Sequence, residues 1–355
     1  MCVVTFDWEK NDANEKFKNF DKIKSLSWAV IEVTESCNFS CKWCFANSMR
    51  GNGKKHMNKE DVKNLLKYLS DNGLRQVTFS GGEPTIYPYI KDAVSYAKEL
   101  GLVVHMNTNG FLFSEKMAKE LYSLGLSQVQ INIDSLDSEN HDNVRGMEGS
   151  HKRAIEALKN ARKAGITCVS QTVLTKENED KIIDIFKFAR SLGLQRCRVW
   201  DMTPSDGIAL ENNHMISRNY TSVLQKLSDF AYETGARHVE VGEPLFKENV
   251  KTKLKVTGGY CVAAAGLYMT VSRNGNVFPC ATFRKSLYNI FDAINNSEKL
   301  PEFHRRKVVS FTKLFKIHDS CMKCKSLKTC KGGCCTRRRL NKTKLDYLCT
   351  SSENT

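Results

Sequence analysis

Cys37, Cys41 and Cys44 stand at C-x3-C-x2-C spacing in ESCNFSCKWCFANS, residues 35–48. Thiolates this close together are soft ligands for zinc or iron. A closed zinc site or a finished cubane cluster takes four ligands, so a triplet leaves one metal position without a protein ligand. In catalytic metal sites that open position is where substrate or water binds. Three further stretches offer groups that could serve a ligand there. VTFSGGEPTI carries Gly81, Gly82, Glu83 and Pro84; its glycines permit close backbone approach to a ligand, and Glu83 can accept hydrogen bonds from an ammonium. NTNG offers Thr108 and Asn109 for hydroxyl groups, and INIDSLDSENHDNVRG offers Ser135 and Arg145. A plain Gly-Gly turn and an Asn-Gly turn are the plainer readings of the first two. Asp134 and Asp137 read as structural residues.

The elements that must position these groups alternate regularly. From about Trp28 to Asp201, apolar runs (WAVIEV, QVTFS, LVVHMNT, QVQINID, ITCVSQTVL, QRCRVW) are separated by five helical patterns. Asn58 reads as the N-cap of the first helix, with Asp61 three residues on. Six such strands without a strand-only block imply a parallel sheet with helical crossovers, either a partial barrel or a doubly wound sheet. In both, ligands bind at the C-terminal ends of strands, which is where the cysteine triplet and the three stretches fall. Residues 205–255 change in texture and read as a bridge with a short HVEV segment. Residues 256–355 are turn-rich and read as a small domain organised by metal more than by an apolar core.

Of the fourteen cysteines, ten are grouped; Cys2, Cys168, Cys197 and Cys335 are left over. Cys168 and Cys197 lie within strands and read as packed core thiols. Grouped cysteines indicate metal or redox chemistry in a reducing compartment, and no signal-peptide core or membrane-length apolar run is present, so the cytoplasm is expected. The net charge of +15 suits acidic partners. The basic stretch CCTRRRLNKTK reads as a solvated or cluster-balancing surface, and nucleic acid is not the expected partner. No P-loop, dinucleotide fingerprint or H-E-x-x-H motif occurs.

The triplet, with Trp43 before its last cysteine, resembles the signature of the radical S-adenosylmethionine (SAM) superfamily. The resemblance implies an α/β fold, a partial (β/α)6 TIM-like barrel at residues 28–204 after an N-terminal segment, 1–27. It implies that Cys37, Cys41 and Cys44 hold three irons of a 4Fe–4S cluster whose fourth iron chelates SAM. An electron from the cluster then cleaves SAM to a 5′-deoxyadenosyl radical that abstracts substrate hydrogen. GGEP resembles the family's motif for the amino group of SAM; Thr108 and Asn109 would meet the ribose, and Ser135 and Arg145 the carboxylate.

Cys261-x13-Gly275-x4-Cys280, then Cys321-x2-Cys324-x5-Cys330-x3-Cys334, then Cys349, is similar to the SPASM extension of that superfamily. The similarity implies up to two auxiliary clusters, one on Cys321, Cys324, Cys330 and Cys349, the other on Cys261, Cys280 and Cys334. The second set is one ligand short, because KVTGGY has no cysteine. The missing ligand is left as Cys335, a non-cysteine side chain or the substrate, with an open or unusually ligated iron preferred. Ala281 stands where sulfatase maturases, which are similar, carry an aspartate, so sulfatase maturation is not expected. Thirty-six residues precede the triplet, fewer than the roughly 50 of a small domain, so no leader-binding domain is expected there. The resemblance implies a flavodoxin or ferredoxin electron donor and, as substrate, a peptide or protein side chain. The alternatives are an anionic small molecule such as a tetrapyrrole propionate, or a sugar or aminocyclitol. A non-enzymatic alternative is a zinc-rich nucleic-acid-binding module.

Overall fold

The computed structural model describes residues 4–7, 26–46, 48, 55–194, 196–203, 208–217, 219–235, 239–242, 245, 249–257, 261–313, 318–330, 332–340, 345, 346, 348 and 349. Most of the N-terminal segment, the GGY of KVTGGY and the NKTK of the basic stretch lie outside them. The described strands are β1 Val4–Asp7, β2 Trp28–Thr34, β3 Gln76–Gly81, β4 Val103–Asn107, β5 Leu126–Asn132, β6 Thr167–Leu174, β7 Arg196–Asp201, β8 Val239–Val241, β9 Lys255–Thr257, β10 Tyr268–Val271, β11 Asn276–Phe278 and β12 Tyr288–Asn289. They form one sheet in the order β12-β11-β10-β2-β3-β4-β5-β6-β7-β8-β1-β9.

β2 to β7 are the six expected strands, hydrogen-bonded in sequence order and parallel throughout. Near-continuous burial of their residues, as in β2 and β3, matches a sheet covered on both faces. The crossover helices are α1 Lys59–Asp71, α2 Ile90–Glu99, α3 Glu115–Ser123, α5 Ser150–Lys163 and α6 Ile182–Ser191, with a short α4, Ser138–Arg145, ahead of α5. Each buries one stripe against the sheet; α1 does so with Val62, Leu65, Leu66 and Leu69. Asn58 caps α1 by accepting a hydrogen bond from the Asp61 N–H at 2.8 Å. α4 has no counterpart among the sequence expectations. It buries only His141, Val144 and Arg145, too few positions to show a helical period.

The sheet extends beyond the six strands. β8, the HVEV segment of the bridge, runs parallel to β7, and β10 runs parallel to β2 at the other edge. Met269, Val271, Val277, Ile290 and Leu300 join the main core. The first half of the C-terminal region therefore packs as part of the barrel sheet; the apolar run YMTV supplies a fully buried strand. Cys168 and Cys197 are buried in β6 and β7. No described helix is long and apolar enough to cross a membrane.

Candidate active site

The cysteine loop leaves β2 through a register shift between Glu32 and Thr34 and is held from two sides. On one side the last carbonyls of α4 receive it: the Ser40 N–H donates to Arg145 O and the Lys42 N–H to Val144 O, at 3.2 and 3.0 Å. On the other side lies the GGEP loop after β3. The Gly82 N–H donates to Thr34 O and the Glu83 N–H to Ser36 O, at 2.8 and 2.9 Å. A Cβ on Gly81 would stand 2.2 Å from Thr34 O, and one on Gly82 would stand 2.1 Å from Ser36 O. The backbone of the cysteine loop thus requires glycine at both positions, a reason the sequence reading did not contain. Gly82→Ala is expected to cost about 1–3 kcal/mol, because carbonyl backbone cannot move aside as a flexible side chain would. A denaturant unfolding curve checks this.

Glu83 is fully enclosed. Its carboxylate accepts from Thr85 N and Oγ1, from Thr108 Oγ1 at 2.6 Å and from Asn109 N at 2.7 Å. It ties the loop after β3 to the loop after β4 and does not line the cavity. Burial pushes its pKa up against those four hydrogen bonds. Asn109 Nδ2 also donates to Asn38 Oδ1 at 2.7 Å, bringing the β4 loop onto the cysteine loop.

Arg145, at the end of α4, is almost completely buried. Its Nε donates to Asp134 Oδ2 at 2.7 Å, its Nη1 reaches Cys41 Sγ at 3.6 Å, and the guanidinium lies over the Trp43 ring. Nη2 is 2.5 Å from Asp134 Oδ2 yet makes no well-directed hydrogen bond. Asp134 also accepts from Val173 N, and Asp137 caps α4 through Asn140 N. Ser135 accepts from Asp137 N and, like Glu83 and Pro84, is not part of the cavity wall.

A cavity of about 1330 Å³ opens at the C-terminal ends of the strands. Cys37, Cys41, Cys44, Gly81, Gly82, Thr108, Asn109 and Arg145 all line it. Its floor is made of amides, Asn107, Gln130, Asn132 and Gln171, and its far wall of Trp200, Asp201, Met202 and Thr203. Ala281 and Thr282 reach it from the C-terminal region. A second cavity, of about 400 Å³, is lined by Cys321, Cys324, Cys330 and Cys349 together with Asp346. Cys261, Cys334 and Cys335 lie near one another, with Cys280 packed at their edge. Among the described residues no three His, Cys, Asp or Glu side chains converge as closely as the ligands of a single metal ion.

Residues 31–189 match the Radical SAM superfamily. A radical SAM domain therefore spans these residues. Enzymes of that superfamily use SAM and a 4Fe–4S cluster. The chain is 25% identical over 331 residues to the AdoMet-dependent heme synthase of Nitratidesulfovibrio vulgaris, covering 88% of each chain. It is 26% identical over 270 residues to that of Methanosarcina barkeri, covering 72% of this chain and 76% of the relative. Its fold is similar to that of Streptococcus suis SuiB bound to the precursor peptide SuiA, with a TM-score of 0.72 at 21% identity, over 92% of this chain and 76% of SuiB. The non-enzymatic alternative is thereby set aside.

Three features of this radical SAM chain fit a cluster and SAM. Burial pushes the Cys37 thiol up to about 12, with Glu83 adding to the effect, and pushes Cys44 to about 11. Thiolates here therefore need a cationic partner such as iron, whose binding would release their protons. Cys37 Sγ already accepts the Phe39 N–H at 3.4 Å. Finally, the buried Arg145 guanidinium lines the cavity beside Cys41 while paired with Asp134, a cation within reach of an anionic group.

Sequence reasoning missed several residues. Asp201, the last residue of β7, accepts from Arg337 Nη1 at 3.0 Å, and Arg337 also grips Asp346 through Nε at 2.7 Å and Nη2 at 2.9 Å. Arg337 is 1% exposed, so the expected solvated surface fails at this position; its charge is neutralised internally by two carboxylates. Arg338 is buried too. The strand-end rule pointed to Asp201, but nothing local marked Arg337. Glu32, paired with Arg284 at 2.7 and 2.8 Å, is a further cavity residue without a sequence signal.

Proposed function

We propose that the chain is a radical SAM/SPASM enzyme that abstracts hydrogen from a peptide or protein side chain. The observation that carries the reading is one cavity joining the cysteine triplet, the buried Arg145 guanidinium and the side-chain amides of Asn107, Gln130, Asn132 and Gln171. When bound, the cluster and SAM supply a 5′-deoxyadenosyl radical. Cys37, Cys41 and Cys44 would hold the cluster, and Arg145 would meet the carboxylate of SAM while its charge neighbours Cys41. Thr108 and Asn109, fixed by Glu83, would meet the ribose. Phe39 and Trp43, both buried, keep water from the triplet. Asn107, Gln130, Asn132 and Gln171 offer paired donors and acceptors, which suit the amides of a peptide.

Among the described cavity residues Arg145 is the sole cation, and it is engaged by Asp134. That favours a peptide over a substrate rich in carboxylates. Similarity to heme synthases across 88% of both chains supports a second reading, a tetrapyrrole propionate. The four-cysteine cavity and the Cys261 group would hold auxiliary clusters that take up an electron from substrate or anchor it. The charge of +15 suits flavodoxin or ferredoxin as donor.

Dithionite and SAM added to the anaerobic protein are expected to yield 5′-deoxyadenosine, and Cys41→Ala to lower the yield at least about 10³-fold. Side-chain-deuterated peptides encoded beside the gene should then pass deuterium into 5′-deoxyadenosine. Transfer from a propionate-deuterated iron tetrapyrrole instead would establish the second reading, and a fully active Cys41→Ala protein would overturn both.

A further inference from the structure

Cys335 belongs to none of the ligand sets assigned above, yet its thiol is buried beside Cys261 and shares a hydrogen bond with it. We propose that Cys335 completes a four-thiolate site with Cys261, Cys280 and Cys334, so that the iron–sulfur cluster held there is closed by protein and has no iron open to substrate. This rests on the auxiliary-cluster reading and specifies what it leaves unassigned.

The four cysteines come from three segments that are fixed against one another. Cys261 and Cys335 pack in one cluster with Val30, Val262 and Tyr268, and Cys280 lies at its edge. The Cys280 turn touches the helix that follows Cys334: Cys280 Sγ meets Thr282 Oγ1 at 3.4 Å, and Thr282 Oγ1 meets Thr336 Oγ1 at 3.4 Å. The backbone of Cys334 is held by its N–H on Asp346 Oδ2 at 2.7 Å and by its carbonyl accepting from Arg338 N at 3.0 Å. Cys261 Sγ accepts the Ala264 N–H at 3.4 Å. Cys37 and Cys330, one in each of the other two sets, accept the N–H of Phe39 and of Gly332 in the same manner. One sulfur in each set is thus placed as a hydrogen-bond acceptor, the arrangement that stabilises a thiolate ligand and tunes a cluster's potential. A pair of isolated thiols in an apolar pocket has no comparable need for such donors.

The consequence concerns substrate. Ala281 and Thr282, directly after Cys280, line the large cavity, so this site borders the place of reaction. With four thiolates, its cluster can exchange an electron with a substrate radical but cannot ligate the substrate.

The test removes the first cluster with Cys37→Ala, Cys41→Ala and Cys44→Ala together and reconstitutes the full chain anaerobically with iron and sulfide. That protein is expected to hold about eight irons. Adding Cys335→Ala should lower the count to about four, or to about seven with the resonance of a three-iron cluster. Adding Cys335→Ser instead should retain iron but shift the midpoint potential of one cluster and leave the other unchanged. Unaltered iron and unaltered resonances in both Cys335 variants would overturn the inference while leaving the auxiliary clusters standing. A Cys261–Cys335 disulfide in the loaded protein would overturn it as well. If the triple variant held no iron, the auxiliary-cluster reading itself would fail, and this inference with it.

Discussion

Arg145→Ala is expected to lose both stability and SAM binding, by separable amounts. The guanidinium is buried, and burial works against its charge; Asp134 and the nearby Cys41 override that penalty and hold the group protonated. Removing it leaves the Asp134 carboxylate, 2% exposed, without its counter-charge. Breaking a buried pair in this way costs about 3–5 kcal/mol. The variant also loses the contact with Cys41 Sγ and the face of Trp43. A charged hydrogen bond to the anionic group of SAM is worth about 1.5–3 kcal/mol, or roughly 10- to 100-fold in affinity. Lysine cannot stand in, because one ammonium cannot face Asp134 and the cavity as a planar fork does. Asp134→Asn provides the comparison: it weakens the same pair and lowers the unfolding midpoint, but keeps Nη2 and therefore most of the affinity for SAM. Equilibrium binding of SAM to the two reconstituted variants distinguishes them. Equal affinities, with only the unfolding midpoints changed, would make Arg145 a structural residue alone.

The contrast between Arg145 and Arg337 indicates what a sequence exposes. The six strands were legible because they are short, largely buried runs separated by five helices that each bury one stripe. The cysteine triplet was legible because its ligands lie within one loop, so spacing alone carries the chemistry. Gly81 and Gly82 were legible as glycines, but not the backbone they accommodate, since Thr34 and Ser36 approach from another strand. Arg337 sits in a basic run with no apolar period, and its partners Asp201 and Asp346 are distant or carry no local pattern. The same limit left HVEV as part of a bridge: three residues are too few for a period, and β8 is defined by β7, to which it pairs. Pairings between strands distant in the chain are set by the sheet as a whole, not by neighbours in the sequence.

Glu240 follows from that limit and carries the other large expected effect. It lies in β8, fully buried inside the sheet, between Arg196 and Arg198 of β7. Arg196 Nε donates to Glu240 Oε1 at 2.6 Å and Arg198 Nε to Oε2 at 2.7 Å. Each Nη2 donates to the same carboxylate oxygen as its Nε, while the two Nη1 atoms donate to Gln128 and Gln130 of β5, and Gln130 lines the cavity. Burial alone would raise the Glu240 carboxyl; the two arginines and their hydrogen bonds outweigh it and hold the pKa at about 2. Burial, with Arg196 and Arg198 adding to it, keeps His105 beneath them neutral, at about 3. Glu240→Ala leaves two buried cations without a counter-charge, at a cost of at least about 3–5 kcal/mol. Set against a total stability of about 5–15 kcal/mol, that is enough to leave much of the protein unfolded or insoluble. Glu240→Gln keeps two acceptors or donors in place and should cost about 1.5–3 kcal/mol. Its pH dependence has a definite sign. The carboxylate's contribution is complete above the unfolded value of 4.5 and is lost as pH falls toward about 2. The gap in denaturant midpoint between wild type and Glu240→Gln, at matched iron content, should therefore be constant from pH 7 to 5 and narrow at pH 3. A gap that did not change at pH 3 would show that this carboxylate, despite its two arginines, titrates no differently in the folded chain than in the unfolded one.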